Sequence, residues 1–338
     1  MTRIVVDAMG SDEYPTPDIA GAVLAAREYG VEIILVGDEA RIKPVLAAQN
    51  PGSLPIRVVH APDMLTMQDK GMALALKARR ANARNSMAVG IDLLKSGEAD
   101  AFVTAGNTGA ALATAYFRLG TIPGVDLPAL APVFPTATGS CVILDIGANP
   151  DCKPENLYQF AVMGSIYAEK VRGVKNPKVG LISNGEEEGK GNQLVREALP
   201  LIKAAGLNFY GNVEGKEVIG GKVDVAVTDG FTGNVLLKST EAVAKMIIDK
   251  VRLYIKEGGP LALLGGMLVR PALGRLRKLL DPSEEGAAPL LGTNGIVFIG
   301  HGRSDDIAIK NAVRLAKNAV EVKVLEAIKD GIQERLQK

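Results

Sequence analysis

Residues 223–234 read VDVAVTDGFTGN: a short, almost wholly apolar run, then a polar turn punctuated by two glycines. A helical pattern over Val235–Ile255 follows at once. A strand apolar on both sides belongs inside a parallel sheet covered by helices on both faces. The pattern recurs along the chain. Strands are predicted at 3–6, 32–36, 57–60, 101–104, 141–145, 178–183, 208–210, 223–228 and 295–299. Helices are predicted at 17–29, 40–48, 88–96, 110–119, 155–171, 193–205 and 235–255, with a last one over 306–335. Alternation of this kind builds right-handed βαβ units, so an α/β, doubly wound, mostly parallel architecture is expected.

Two irregularities divide the chain. Pro123, Pro128, Pro132 and Pro135 mark a boundary, and seven glycines and four prolines interrupt 257–292. Because the two ends look alike, the expected division is 1–135 plus 293–338 for one subdomain and 136–292 for the other, with a cleft between. The second would include a helical segment at 235–285.

Composition narrows the function classes. The 338 residues are 47% hydrophobic, which excludes a disordered chain. Lys and Arg (39) balance Asp and Glu (38), so a general nucleic-acid binder is not expected. Cys141 and Cys152 are too few for a disulfide framework or cysteine zinc site, and fit a reducing compartment. The opening MTRIVVDAMG lacks a secretory apolar region. The longest apolar candidate, Leu261–Val269, is nine residues, against about 20 needed to span a bilayer. A cytoplasmic protein is expected.

The turns after the strands carry the chemistry. They read DAMGSD (7–12), VGD (36–38), AGNTGA (105–110), DIGAN (145–149), SNGEEEGKGN (183–192), TDGFTGN (228–234) and GHGRSDD (300–306). Gly-rich turns that open helices expose backbone N–H groups at the positive end of the helix dipole, which suits phosphate. In an open α/β sheet, ligands bind at the carboxyl ends of strands. GEEEGK (185–190) is one residue short of a nucleotide-binding P-loop and is followed by Gly191 instead of Ser or Thr. The Gly189–Leu194 run lacks the third glycine of a dinucleotide fingerprint. Asp7, Asp12, Asp145 and Asp229 could gather a metal only if folding brings them together; turn and cap roles are the simpler expectation. Cys141 opens a strand and reads as core. Cys152 has no histidine nearby in sequence, and no GxSxG elbow exists. Of the two histidines, His301, between glycines, suits function better than His60. Direct reaction between bound substrates is therefore simpler than a covalent intermediate.

At these turns the chain resembles the bacterial phosphate acyltransferase family. The motifs are VDAMG (6–10), AGNTGA (105–110), LPALAP (127–132), DIGAN (145–149), KPE (153–155), MGSIYAEKVRGV (163–174), KGN (190–192), GNVEGKE (211–217), TDGFTGN (228–234) and HGRSD (301–305). Two departures stand out: the family commonly reads MGGDHAP where this chain has MGSDEYP (9–15), and Arg303 replaces a usual small residue. The resemblance implies a fold like phosphotransacetylases and isopropylmalate-type dehydrogenases. It implies acyl phosphate formation from acyl-acyl carrier protein and inorganic phosphate, without cofactor or metal, feeding glycerophospholipid synthesis. It also implies a homodimer on the inner membrane face, with a downstream glycerol-3-phosphate acyltransferase as a further partner.

On that reading Lys190 serves as the cation for phosphate or oxyanion, Asn234 and Asn107 as neutral donors, and His301 in proton transfer. Gly106, Gly109, Gly191, Gly230 and Gly233 allow close backbone approach. Asp7, Gly10, Thr108, Asn192 and Asp229 complete the expected substrate-binding set. Lys77, Arg79, Arg80 and Arg84 offer an acidic carrier protein four cations within eight residues. Residues 245–280 combine a charge of +6 between 245 and 278 with the uncharged GGPLALLGGMLV (258–269), a candidate for peripheral membrane contact or a dimer interface. The alternatives are a metal- and NAD-dependent dehydrogenase on the related fold and a non-catalytic acyl or carrier-protein binding module.

Overall fold

Strand β1 (Arg3–Asp7) has parallel partners on both sides, β2 (Glu32–Gly37) and β4 (Ala101–Thr104), which explains its apolar RIVVD run. The computed structural model describes residues 1–336 other than 67, 70 and 81. β3 (Ile56–His60) pairs beyond β2, and β12 (Val297–Gly300) pairs parallel to β4, with Phe298 opposite Val103. β11 (Ala287–Leu291) and β5 (Ala129–Leu130) then add antiparallel, giving the order β3-β2-β1-β4-β12-β11-β5. The second sheet comprises β6 (Val133–Thr136), β7 (Gly139–Leu144), β8 (Val179–Ile182), β9 (Phe209–Val213) and β10 (Val225–Val227). Its order is β6-β7-β10-β8-β9, with β6 alone antiparallel.

The helices are α1 (Thr16–Tyr29), α2 (Glu39–Ala48), α3 (Gly71–Arg79), α4 (Ser86–Lys95), α5 (Thr108–Leu119), α6 (Pro154–Lys170), α7 (Gln193–Ala204), α8 (Gly215–Ile219), α9 (Gly230–Glu257), α10 (Gly259–Leu279), α11 (Asp306–Glu321) and α12 (Val324–Leu336). Alternate strand residues point to opposite layers. Ile4 and Val6 join a core shared with Leu144 of the second sheet and with Phe160 and Tyr167 of α6. Val5 instead joins Ile34, Met87 and Phe102 on the other face. Cys141, Ile143 and Ala226 form the outer layer of the second sheet with Val213 and Val223. Each large apolar side chain so buried contributes roughly 1.5–3 kcal/mol.

The α/β, mostly parallel reading stands, but details differ. β6 falls in the second sheet and β11 in the first, so the chain changes sheets before Val133 and before Ala287, inside the expected limits of 135 and 293. These short strands escape pattern reading because prolines flank or interrupt them. The expected helix over 306–335 is two, because Lys323 adopts φ +53° between α11 and α12. α9 begins at Gly230, five residues before the apolar pattern, since its cap lies inside the glycine turn. The interrupted stretch after 257 contains a full helix, α10, despite Pro271. Gly266 of α10 closes against Ile255 of α9, forming a hairpin.

Candidate active site

All seven glycine turns follow carboxyl ends of parallel strands: β1, β2, β4 and β12 in one sheet, β7, β8 and β10 in the other. In the first sheet, Asp7 closes β1 and is buried. Its Oδ2 accepts from Thr104 Oγ1 at 2.8 Å, and its Oδ1 accepts from the Met9 N–H at 3.1 Å. Burial raises the Asp7 pKa, opposed by hydrogen bonds from Ser86, Thr104 and Met9. Thr104 also accepts the Gly106 N–H at 3.0 Å, tying the two turns together. A methyl group on Gly10 would lie 2.9 Å from the amide nitrogens of Ala105 and Gly106, so this backbone approach requires glycine. The Asp12 N–H donates to the Gly302 carbonyl at 2.6 Å, bringing the third turn into the same array.

Asn107 caps α5, its Oδ1 accepting the Ala110 N–H at 3.0 Å. Its Nδ2 donates to the Thr66 and Asp69 carbonyls at 3.0 and 3.1 Å. The expected role of this side chain as a donor to substrate is therefore corrected: its amide hydrogens are taken by the Thr66 and Asp69 carbonyls. What α5 presents is the backbone of exposed Thr108 and Gly109, whose N–H groups precede the first intrahelical bonds.

In the second sheet, buried Asp145 organises the β7 turn. Its Oδ1 accepts from Leu130 and Ala148 N–H groups, and its Oδ2 from both nitrogens of Asn149, at 2.6 and 3.0 Å. Burial pushes its carboxyl up to about 6 against these bonds. The N-terminus of α9 packs on this turn: Gly230 N–H donates to the Asn149 carbonyl at 2.8 Å, and Gly147 N–H to the Gly230 carbonyl at 3.0 Å. A methyl on Gly233 would run into the Asp145 carbonyl. Asp229 caps α9, and both its oxygens are engaged by Thr232. Asn234, half-buried, faces Gly147, and among the described residues its amide has no hydrogen-bond partner.

The β8 turn carries Lys190, exposed, its stem folded over Gly185. Among the described residues it forms no ion pair. Gly191 takes φ +100°, with its N–H on Asn184 Oδ1 at 2.8 Å. Asn192 caps α7 through the Val195 N–H at 2.9 Å. Ser183 Oγ and buried Asn212 Oδ1 lie beside this loop without partners. No hydrogen bond or ion pair joins Lys190 to Asn234 or His301. His301 is exposed as a residue, yet protein packed around its ring lowers its pKa; Glu241 of α9 opposes this and Arg303 reinforces it.

The other titratable candidates have structural partners. His60 Nδ1 accepts the Glu39 N–H at the start of α2. Cys141 is buried and its thiol pushed far up by burial; that of Cys152 is pushed up to about 12. Glu186, Glu214 and Glu217 converge on the Lys216 ammonium at 2.8–3.6 Å. Thr104 and Asn149, which set the two turns, were missed by sequence reading. A lone polar residue closing the apolar run AFVT was the available signal for Thr104.

A profile of fatty acid synthesis proteins matches residues 2–327. A phosphate acyltransferase of Acidobacterium capsulatum is 50% identical over 317 residues, 94% of this chain and 93% of that protein. The chain belongs to this family of phosphate acyltransferases. The family's Elusimicrobium minutum phosphate acyltransferase is 47% identical over 333 residues, 98% of this chain and 96% of that one. Among solved structures, a phosphotransacetylase from Staphylococcus aureus aligns with TM-score 0.60 at 18% identity, covering 96% of this chain and 94% of that one. A 4-hydroxythreonine-4-phosphate dehydrogenase from Klebsiella pneumoniae gives 0.53 at 14%, covering 95% and 98%. At such identities these share the fold alone. The phosphate acyltransferase is thus an α/β enzyme of fatty acid and phospholipid synthesis, and among its described residues no helix is long and apolar enough to cross a membrane.

Proposed function

We propose that the enzyme transfers the acyl group of an acyl-acyl carrier protein to inorganic phosphate. The observation carrying this reading is that anion-seeking groups occupy the carboxyl ends of the parallel strands: the exposed first turn of α5 in one sheet, and in the other Lys190 beside the α7 terminus and the Asn234 amide, neither with a partner among the described residues. A phosphate oxygen attacks the thioester carbonyl carbon. The tetrahedral oxyanion collapses, the C–S bond breaks, and acyl phosphate and the carrier thiol leave. Phosphate is already anionic near neutrality, so positioning and oxyanion stabilisation dominate over base catalysis. Lys190 balances charge, Asn234 donates to the oxyanion, and His301, its pKa lowered, protonates the departing sulfur after collecting a proton from phosphate. Asp7, Gly10 and Gly106 shape the anion site at the first sheet, and Asp229, Gly230 and Gly233 at the second. No metal or other cofactor takes part.

The α9–α10 hairpin supports a second element of the proposal, peripheral attachment to the inner membrane face and assembly as a homodimer. α10 has no buried residue, and Leu261, Leu264, Met267 and Leu268 are exposed between the basic arms. Incubating the protein with acyl-acyl carrier protein and phosphate, with mass detection of acyl phosphate, tests the reaction. Hydrolysis to free fatty acid alone, or no consumption, overturns it.

A further inference from the structure

Helices α3 and α5 run side by side in the same direction. Leu74 of α3 lies against Gly109 at the start of α5, and Arg118 near its end donates from Nη2 to the Arg80 carbonyl at 2.7 Å. Residues 109, 112, 113, 116 and 117 share one stripe of a helix. Tyr116 and Phe117 stand at the far end of α5, where the neighbouring Arg118 bond to the Arg80 carbonyl brings the end of α3. Their rings meet edge to face at 5.5 Å, yet they remain 40% and 44% exposed, and Leu76 of α3 is 60% exposed. Arg79 and Arg80, at the end of α3 that Arg118 holds, are exposed, and among the described residues neither forms an ion pair. Of the remaining nearby cations, Lys77 pairs with Asp69 and Arg118 with Asp92. Arg84 is exposed and, among the described residues, forms no ion pair.

Aromatic residues at the centre with arginine at the edge is the anatomy of a protein-binding surface. The unpaired charge is positive, so the complementary partner is acidic. Phe117 is eight residues from Gly109, about 12 Å along the helix axis. A partner seated here lies within reach of the α5 N-terminus for a substrate on a flexible arm. At that N-terminus Asn107 holds the Thr66 and Asp69 carbonyls, the latter two residues before α3.

We infer that the α3–α5 face centred on Tyr116, Phe117, Arg79 and Arg80 docks the acidic carrier protein that presents the acyl thioester. The identity of the cargo rests on the reaction proposed above; the surface does not. Binding of purified acyl carrier protein is measured by titration calorimetry across ionic strength for wild type, for Tyr116→Ala with Phe117→Ala, and for Arg79→Glu with Arg80→Glu. Each pair should weaken binding at least about tenfold, the size expected for losing one or two central contacts. Charge reversal should also flatten the salt dependence. Turnover of a small acyl thioester with phosphate, which needs no docking, should persist in both variants and reports folding. Unchanged carrier affinity, no carrier binding by wild type, or variants that become monomers because the face joins two copies of this chain would each overturn the assignment. Wild type that binds the carrier through this face but makes no acyl phosphate would instead overturn the reaction.

Discussion

Ser11 Oγ lies 2.5 Å from Oδ2 of buried Asp18, whose other oxygen has no hydrogen-bond partner. Burial pushes the Asp18 carboxyl up to about 7, with a smaller contribution from the Asp7 charge. The folded state thus holds this proton more tightly than the unfolded chain. Stability from this group is fully present below the ordinary carboxylate range and is lost as pH rises from about 4 to about 7. Asp18→Asn keeps an acceptor for Ser11 without that loss. The variant's unfolding free energy should match or exceed wild type at pH 8, by an amount on the order of a few kcal/mol, and its thermal midpoint should vary less between pH 5 and 8. Asp145, pushed up to about 6, keeps a residual slope. Midpoints that track wild type at every pH would refute the argument.

Lys190, the cation of the proposed reaction, has no ion-pair partner among the described residues. Lys190→Ala should lower kcat/KM for phosphate by about 10²–10³, in line with removal of one oxyanion donor elsewhere, while the thermal midpoint stays within a degree or two because the side chain is exposed. Full phosphate-dependent transfer by this variant would remove Lys190 from the mechanism.

Gly233 is set by contact, not by backbone angle. Gly233→Ala forces a methyl group into the Asp145 carbonyl and against Thr228 Cγ2 at 3.0 Å. Overpacking of this kind costs typically 1–3 kcal/mol. Gly189→Ala, where a methyl meets nothing within 4 Å, is the control and should leave the denaturation midpoint unchanged. Equal midpoints for the two variants would show that the α9 terminus yields without cost.

These contrasts show what the sequence could disclose. The turns were legible because strand, glycine and helix follow one another locally, as in VDVAVTDGFTGN. The use of Asn107 was not, because its amide hydrogens go to Thr66 and Asp69, 41 and 38 residues away. Asp145 likewise takes the Leu130 N–H from the preceding segment. β5 and β11 are short strands whose pairing is antiparallel and long-range, so no alternating pattern announces them.

The exposed hairpin separates two roles. Leu264 and Leu268 are 52% and 76% exposed. On the proposed attachment and assembly, Leu264→Glu with Leu268→Glu should abolish sedimentation with anionic phospholipid vesicles and leave the mass of the assembly and turnover of soluble substrate unchanged. Monomers that still bind vesicles would assign these residues to the subunit interface.

Because β12 sits between β4 and β11, the first sheet keeps an open edge until residues beyond 297 have left the ribosome. The second sheet, built wholly from residues 133–227, has all its strands long before. Synthesis therefore finishes the middle of the molecule first and the beginning last. For most of translation β4 presents a bare edge to the cell, and α11, which closes over α1 at Gly21, comes off the ribosome as the clasp.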